Sequence, residues 1–237
     1  MIKNTGPGFV KNMFGAIAPK YDFLNRLLSL RQDVYWRRRM TQALQIPDNA
    51  RILDAACGTG DVMLEILRQK NTAKVIGIDF STEMLAIAAE KAASVFPGKS
   101  FSLLAADALF PPFAKQSFDA VTIAFGIRNI AARQRAMEEF LEILRPGGMI
   151  AVLELATPSD KMMRRLYLLY FTKILPAIGG LFSKNMRAYR YLPSSVLGFP
   201  QPAEFAAIMR RAGYKDIKWL ALTAGIATLY TGLKNKN

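Results

Sequence analysis

Residues 51–62 read RILDAACGTGDV and place two glycines and two carboxylates where a predicted strand meets a predicted helix. Gly58 and Gly60 have no Cβ, so the backbone can approach a ligand closely. The following helix presents free N–H groups at its N-terminus, which in a dinucleotide site face a pyrophosphate. Asp54 and Asp61 would repel such an anion, but they suit a cationic ammonium group. The turn therefore favours S-adenosylmethionine over a nicotinamide dinucleotide.

The ends of two further predicted strands extend this site. Asp79 lies about twenty residues beyond the turn, where a carboxylate can accept both ribose hydroxyls. Met84 follows and is placed to contact adenine, whereas Asp107 ends the third strand and is placed to accept the adenine amino group. In an open α/β fold these positions share one edge of the sheet, where ligands bind. The predicted cofactor-binding residues are Asp54, Gly58, Thr59, Gly60, Asp79, Met84, Asp107, Ala108 and Ala124.

The chain has no histidine and a single cysteine, Cys57. Histidine is the commonest general base and metal ligand, so its absence excludes zinc hydrolysis and Ser-His or Cys-His catalysis. No metal site is expected. A catalytic thiolate needs a base partner, and none is apparent for Cys57, which we expect to pack in the interior. The lone cysteine and the absence of a cleavable apolar leader indicate a reducing, cytoplasmic compartment.

Five continuous apolar runs, typical of parallel strands covered on both faces, alternate with helical patterns. They cover residues 51–56, 73–79, 100–107, 118–125 and 148–155. Two more strands, YKDIKWLAL and IATLYTGLK, are joined by a tight turn near the end. The helix before the fifth strand is expected to stop at the PGG of residues 146–148. The fold prediction is α/β: a Rossmann-like, mostly parallel seven-stranded sheet with an antiparallel last strand, as in class I methyltransferases.

Two amphipathic, aromatic-rich segments do not belong to the predicted sheet. They span residues 9–40 and 160–192, and the apolar part of the second is too short and too interrupted to cross a membrane. We expect them to form a helical substrate cap over an apolar ligand, with ordinary core helices as the alternative. The expected division is an N-terminal cap, 1–45, and a methyltransferase domain, 46–237, with a lid insertion at about 158–198.

The basic charge is concentrated at the two ends of the chain. The net charge is +14, of which residues 1–39 contribute +6 and residues 160–237 contribute +10, while residues 40–159 contribute −2. Basic flanks favour an anionic partner, and we expect an anionic membrane surface, with a solvated basic coat as the alternative. The expected location is the cytoplasm, at the inner face of the cytoplasmic membrane. A homodimer is compatible with the sequence, and no nucleic-acid partner is expected.

Eight stretches, in this order along nearly the whole chain, follow the pattern of one family. They are MFGAIAPKYDFLNRLLSL, DAACGTGD, GIDFSTEMLAIA, FDAVTIAFGIRNI, LRPGGMIAVLEL, ILPAIGG, AYRYLPSSVLGFP and LTAGIATLYTGLK. Through them the sequence resembles the ubiquinone/menaquinone biosynthesis C-methyltransferases, with FGIRN and AYRYLPSS as the most discriminating stretches. The resemblance implies methylation of a ring carbon of a polyprenylated quinol, such as demethylmenaquinol, with S-adenosylmethionine as the methyl donor.

Two positions depart from the pattern of that family. Ala124 stands where the family usually has serine, which removes one polar contact near the cofactor. Tyr230 stands where the family usually ends the last strand with histidine. That histidine is therefore not an obligatory base if this chain is active.

Methylation of an aromatic carbon needs an electron-rich ring, so the quinone must be reduced and a phenolic proton lost. A phenol has a pKa of about 10 and needs help at neutral pH. Arg128, after the fourth predicted strand, can stabilise phenolate, and Asn129 can orient the hydroxyl or a bridging water. Tyr21 is the candidate for closing the site from the N-terminal segment. The alternatives are a loop-holding salt bridge for Arg128 and core packing for Tyr21.

Two other functions stay open at this point. The basic flanks permit an RNA methyltransferase, although no RNA-binding module, no Asn-Pro-Pro-Tyr motif and no second cysteine is present. A catalytically silent scaffold of a quinone-biosynthetic complex would fit the departures at Ala124 and Tyr230, although the intact turn and Arg128 speak against decay. The sequence does not separate a naphthoquinol from a benzoquinol substrate.

Overall fold

The computed structural model describes residues 7–98, 101–174 and 186–236, and its centre is a seven-stranded sheet. The strands are β1 Arg51–Ala55, β2 Lys74–Asp79, β3 Phe101–Ala105, β4 Phe118–Ala124, β5 Leu144–Leu155, β6 Lys215–Leu222 and β7 Ala227–Leu233. Their order is β3-β2-β1-β4-β5-β7-β6. β1 to β5 are parallel, and β7 runs antiparallel to both of its neighbours. The predicted sheet, with its antiparallel last strand, is confirmed.

Helices cover both faces of this sheet. They are α1 Pro7–Leu28, α2 Gln32–Gln42, α3 Asp61–Gln69, α4 Thr82–Val95, α5 Arg133–Ile143, α6 Lys161–Leu169, α7 Met186–Leu197 and α8 Pro202–Arg211. One buried cluster joins α2 and α3 to the sheet and includes Trp36, Met40 and Ile66. The cluster on the opposite face joins α5 and α8 to the sheet through Phe140 and Phe205. Burial on both faces explains why the strands are continuous apolar runs.

The helix before β5 ends earlier than predicted. α5 stops at Ile143 and β5 follows directly, so the PGG of residues 146–148 lies inside the strand segment instead of ending the helix. The residue before a proline disfavours the α conformation, and this applies to Arg145. Gly147 then adopts a positive φ of 75°. The helix therefore ends before the restricted Arg145, at Ile143, three positions before Pro146.

The two segments predicted to form a cap contact each other. Leu24 of α1 packs with Tyr167 of α6 and with Phe171 in the π-helical turn that follows α6. The Tyr170 hydroxyl in the same turn donates a hydrogen bond of 2.8 Å to the carbonyl oxygen of Leu28. Within the described residues, no helix is both long and apolar enough to cross a bilayer.

The division into a cap, 1–45, and a domain, 46–237, stays a prediction. α2 is buried against the sheet, whereas the end of α1 packs on α6, so the predicted cap segment contacts both parts of the molecule. Residues 1–6 of the predicted cap, 175–185 of the predicted lid and residue 100 of the third predicted strand lie outside the described residues.

Candidate active site

The glycine turn between β1 and α3 bends through three residues with positive φ. These angles are 50° at Ala56, 53° at Gly58 and 81° at Gly60. A Cβ built on Gly58 would have no atom within 4 Å, whereas one on Gly60 would approach the Ala88 Cβ to 3.1 Å. Gly60 is therefore required for packing against α4. Gly58 leaves a space that a side chain would fill, which fits a closely approaching ligand.

Asp79 at the end of β2 is tied to this turn. Its Oδ2 accepts a hydrogen bond of 2.9 Å from the N–H of Gly58, and its Oδ1 accepts one of 2.9 Å from the N–H of Ser81. Burial raises the pKa of Asp79 above its usual value, although these backbone donors oppose the rise. The backbone N–H groups of Gly58, Ser81 and Phe80 use three of the roughly four lone-pair positions of the carboxylate, which leaves room for a ligand hydroxyl. The structure therefore holds the carboxylate firmly at the edge of the sheet.

The adenine-side candidates lie beside Asp79. The N–H of Ala106, directly after β3, donates a hydrogen bond of 3.0 Å to the carbonyl oxygen of Asp79, so the ends of β2 and β3 are adjacent. Asp107 is exposed, and Ala108 is buried. Met84 is buried in the first turn of α4. Their predicted contacts with adenine stay predictions.

Asp54 at the end of β1 is almost completely buried. Its Oδ1 accepts a hydrogen bond of 2.8 Å from the Thr122 hydroxyl, but its Oδ2 has no hydrogen bond of normal geometry among the described residues. Burial raises the pKa of Asp54 to about 7, although the Thr122 hydroxyl, the backbone N–H of Met63 and the charge of Arg37 oppose the rise. A buried oxygen without a partner is costly, so a cationic ligand that reaches it gains affinity. This orphaned oxygen fits the ammonium group of S-adenosylmethionine.

Two adjoining cavities open at this edge of the sheet. The smaller, about 30 Å³, is lined by the glycine turn and includes Asp54, Gly58, Thr59 and Ala124. The larger, about 190 Å³, is lined mainly by aromatic and aliphatic side chains. Tyr21, Arg37 and Phe125 line both cavities. Groups bound in the two cavities would therefore meet at these three side chains.

Arg128 lies in the 3-10 turn after β4 and lines the larger cavity. Its Nη1 forms an ion pair of 2.8 Å with Oε1 of Glu154, and its backbone N–H donates to Oε2 at 3.1 Å. Nη1 also donates to the carbonyl oxygen of Phe125. Burial disfavours its charge, but Glu154 raises the pKa of Arg128 above its usual value. Its Nε is buried without an acceptor in the described part of the chain.

The other two candidates differ in position. The carboxamide oxygen of Asn129 accepts a hydrogen bond of 3.0 Å from the Tyr191 hydroxyl of α7, and Asn129 is not among the described residues that line the two cavities. Tyr21 stands at the junction of both cavities. Burial raises the pKa of Tyr21, although Arg128 opposes the rise, so its hydroxyl is protonated at neutral pH.

The two departures from the family pattern have separate environments. Ala124 lines the smaller cavity, as a residue near the cofactor should. Tyr230 is completely buried on β7 and packs edge-to-face on Phe205, with ring centroids 4.9 Å apart. Tyr230 is not among the described residues that line either cavity, so it contributes to the core. Cys57 is buried as predicted, and burial raises the pKa of its thiol well above the usual value.

Asp61 is committed to ion pairs, contrary to the expectation of a carboxylate free for a ligand. Lys91 Nζ contacts Asp61 and also lies 2.7 Å from Asp22 of α1. Arg37 of α2 lies 3.3 Å from Asp61 and Arg26 of α1 lies 3.7 Å away. Burial favours the neutral acid, but these cations outweigh it and lower the pKa of Asp61. Asp61 therefore fastens the predicted cap to α3.

Sequence reasoning missed four residues of this site: Arg37, Glu154, Lys91 and Asp22. Lys91 and Asp22 are 69 positions apart, and Arg128 and Glu154 are 26 apart, so the pairings have no local spacing pattern. The one available signal was Glu154 inside a strand that is otherwise apolar. A charged residue in a buried strand nearly always has a partner of opposite charge. Arg128, directly after the neighbouring strand β4, is a basic residue in a position to be that partner.

The sheet order, the glycine turn and the buried Asp54 at the end of β1 are compatible with an S-adenosylmethionine-dependent methyltransferase. A family model described as the ubiE/COQ5 methyltransferase family matches residues 2–234. The chain belongs to this family, and it is accordingly an S-adenosylmethionine-dependent C-methyltransferase.

Named relatives cover nearly the full chain. A ubiquinone/menaquinone biosynthesis C-methyltransferase UbiE from Geobacter sulfurreducens is 46% identical over 228 residues, which cover 95% of this chain and 88% of the relative. A demethylmenaquinone methyltransferase from Thermus thermophilus is 46% identical over 220 residues, which cover 93% of this chain and 99% of the relative. Both matches extend across the sheet and the segments predicted as cap and lid.

Solved structures with the same fold are more distant in sequence. A methyltransferase from Thermotoga maritima superposes with a TM-score of 0.65 at 18% identity, covering 95% of this chain and 99% of its own. The [4+2]-cyclase SpnF superposes with a TM-score of 0.71 at 17% identity, covering 96% of both chains. Because a cyclase shares the fold, the fold by itself does not determine the reaction.

Proposed function

We propose that the protein methylates a ring carbon of a polyprenylated quinol, with demethylmenaquinol as the substrate. The larger cavity carries this proposal, because it combines apolar walls with two buried polar groups whose hydrogen-bonding capacity is unused. These groups are Arg128 Nε and the Tyr167 hydroxyl, for which the described residues supply no partner. An aromatic ring that bears two oxygens would supply a partner to each. The name of the Thermus thermophilus relative favours demethylmenaquinol over a benzoquinol.

The methionine end of S-adenosylmethionine, which when bound supplies an electrophilic methyl group on its sulfonium, would bind at the smaller cavity. Asp54 Oδ2 would accept a hydrogen bond from the ammonium group. The open space beside Gly58 would admit the ligand to the turn. Asp79 would accept the ribose hydroxyls, and Asp107 would border the adenine.

Arg128 would act on the phenolic oxygen through a directed hydrogen bond. Glu154 neutralises the charge of the Arg128 guanidinium. The two oxygens of Glu154 accept hydrogen bonds from Arg128 Nη1, from the Arg128 backbone N–H and from the Leu155 N–H, so the guanidinium is fixed in place. Negative charge that develops on the oxygen then meets a preorganised donor in a cavity of low dielectric. The phenolic proton would pass to water, and the phenolate would direct electron density to the ring carbon. That carbon would gain the methyl group as the S–CH3 bond of the donor breaks, and loss of its own proton to water would restore the aromatic ring. Tyr21 keeps its proton and closes the junction as a neutral donor.

An anionic membrane surface is the proposed site of action. Two exposed apolar patches support it: Phe23 and Leu27 of α1 with Leu30 in the turn after it, and Met162, Leu166 and Leu169 at helical spacing on α6. We call these two patches the apolar stripes. Leu30 also lines the larger cavity, so a prenyl tail would leave the site beside these stripes. Exposed Lys161, Arg164 and Arg165 lie on the same helix as the second stripe. A basic amphipathic face of this kind suits anionic headgroups.

The reaction is tested by incubating the protein with S-adenosylmethionine labelled in its methyl group. Reduced demethylmenaquinone, a reduced benzoquinone precursor and total RNA serve as parallel acceptors. Label in the naphthoquinol supports the proposal, and label in the benzoquinol alone would correct the ring. Label in RNA, or tight cofactor binding without transfer to any acceptor, would overturn it.

Membrane association is tested by co-flotation with phosphatidylglycerol vesicles, and phosphatidylcholine vesicles report the need for anionic charge. The double variant Leu27→Asp/Leu166→Asp places charges in both stripes and is expected to abolish flotation. Leu104→Asp, at an exposed position on β3, is the matched control and should float normally. Flotation of the double variant at the wild-type level would contradict this surface.

A further inference from the structure

Arg37 is the one basic side chain among the described residues that line the smaller cavity. It comes from α2, although the rest of that cavity belongs largely to the glycine turn and the end of β4. The side chain is buried, and its shortest contacts with both carboxylate partners run from the same nitrogen, Nη1. These contacts are 2.5 Å to Asp33 and 3.3 Å to Asp61. The guanidinium lies over the Phe125 ring, 5.5 Å from its centroid.

Arg37 is the cation that lowers the pKa of Asp61 most, but two other cations also contact this carboxylate. Lys91 contacts the other carboxylate oxygen of Asp61, and Arg26 lies 3.7 Å from that oxygen. The Arg37–Asp61 contact is also the longer of the two contacts that Arg37 makes. A competing carboxylate could therefore take over this side of the guanidinium while Asp33 continues to hold the other. Lys91 and Arg26 would remain beside Asp61.

The cofactor brings such a carboxylate into the smaller cavity. The methionine end of S-adenosylmethionine carries an α-ammonium and an α-carboxylate on one carbon. Asp54 Oδ2 satisfies the ammonium, but the carboxylate needs cationic or backbone donors within the same cavity. A guanidinium matches a carboxylate with two parallel N–H bonds, which makes it the strongest such donor in proteins.

We propose that Arg37 binds the α-carboxylate of S-adenosylmethionine, so that a residue of the predicted cap segment completes the cofactor site. Arg37 also lines the larger cavity together with Tyr21 and Phe125. An Arg37 held by the cofactor therefore fixes one wall of the substrate cavity. The inference concerns cofactor binding alone and does not depend on the identity of the methyl acceptor.

The test compares Arg37→Met with two cofactor forms that differ by one group. Affinities of the full-length protein for S-adenosylmethionine and for its decarboxylated form are measured by isothermal titration calorimetry. We expect Arg37→Met to weaken binding of S-adenosylmethionine about 10- to 100-fold, as for a lost charge-assisted pair. Binding of the decarboxylated form should change less than twofold, because it has no carboxylate to lose. Wild-type protein should bind the decarboxylated form less tightly than S-adenosylmethionine.

Two further variants separate a contact from a structural role. Arg38→Met, at the adjacent exposed position on α2, should leave both affinities unchanged. Arg37→Lys keeps the positive charge but not the planar guanidinium, so it should bind S-adenosylmethionine more tightly than Arg37→Met does. If Arg37→Met does not fold, Arg37→Lys takes its place in the comparison of the two cofactor forms. Equal weakening of both cofactor forms by Arg37→Lys or Arg37→Met would overturn the proposal, as would unchanged affinity for S-adenosylmethionine. These outcomes are independent of whether any quinol is methylated.

Discussion

The smaller and the larger cavity are built in different ways. The smaller is formed by strand ends and a glycine turn, and its buried Asp54 is anchored to Thr122 of a neighbouring strand. Asp79, beside that cavity, is anchored to the backbone N–H groups of Gly58 and Ser81. The larger is enclosed by helices, and its central polar feature is the buried ion pair of Arg128 and Glu154. The sheet edge is therefore set by backbone pairing, whereas the substrate side depends on side chains packed from several helices.

The contrast between strand ends and enclosing helices bears on which substrate the protein accepts. The proposed cofactor site is made by strand ends, and the fold that forms them is shared even with a [4+2]-cyclase. The enclosing helices are where one member of the fold is distinguished from another. Tyr21, Arg37 and Phe125 line both cavities and connect the general half of the site to the specific half.

The largest effect is expected from Glu154→Ala, which removes the partner of Arg128 beside the larger cavity. It leaves the buried guanidinium of Arg128 without a counter-charge, which costs about 3–5 kcal/mol of unfolding free energy. Urea unfolding followed by circular dichroism measures the loss. Glu142→Ala removes the acid of an exposed pair with Lys115, at 2.8 Å, and should not change stability measurably. Similar free energies of unfolding for the two variants would contradict the expectation that the buried pair contributes more to stability than the exposed pair.

Arg128→Lys should damage chemistry while sparing the cofactor side. Lysine can keep an ion pair with Glu154 but has no Nε donor for the phenolic oxygen. We expect the turnover rate with the quinol to fall about 100-fold, in the range found for a lost preorganised donor. The dissociation constant of S-adenosylhomocysteine, measured by calorimetry, should stay within about twofold of wild type. Equal losses in both measurements would mean that Arg128 only maintains the loop.

Gly58→Ala should have the complementary effect, on the cofactor side alone. The residue has a φ of +53°, and its missing Cβ leaves open space at the turn. Alanine there adds about 1–2 kcal/mol of backbone strain and also fills the space for the ligand. We expect at least about tenfold weaker binding of S-adenosylhomocysteine. Gly98→Ala is the matched control, because Gly98 has a φ of +80° and equally open surroundings outside the site; it should cost stability without affecting cofactor affinity.

The smallest expected effect is the pH dependence caused by Asp54. Because its pKa is raised to about 7, the carboxylate is mostly neutral at pH 6 and mostly charged at pH 8. Affinity for S-adenosylhomocysteine should therefore rise about tenfold over this interval, since only the charged form pairs with the ammonium group. Asp54→Asn should remove this dependence. A wild-type affinity that is flat between pH 6 and 8 would contradict the assignment.

The raised pKa of Asp54 also predicts a change in protein stability, which should fall with rising pH while cofactor affinity rises. The folded state holds the Asp54 proton more tightly than the unfolded state, so wild-type stability should fall as the pH rises from about 4 to about 7. Asp54→Asn lacks this decline. Its Tm should therefore exceed that of the wild-type protein at pH 8, and the difference between the two Tm values should be smaller at pH 5. Thermal unfolding at both values measures it.

Local patterns in the sequence determined the sheet and its cofactor edge. Continuous apolar runs identified the strands, because strands buried on both faces carry no alternation. The glycine turn and Asp79 followed from spacing within a single β-turn-α unit and its neighbour. The PGG stop signal did not predict the early end of α5, because Pro146 also restricts the backbone of the residue before it.

Only the tertiary structure decided how the site is completed. Local spacing could not reveal that Asp61 pairs with Lys91 and Arg37, or that Glu154 neutralises Arg128, because these partners come from separate elements. Charge and residue type are properties of the chain, but which buried charges meet depends on how the helices pack on the sheet. The sequence by itself therefore determined the family, the fold and the residues at the strand ends. Packing decided which carboxylate stays open to a ligand and which is used to hold the enclosing helices.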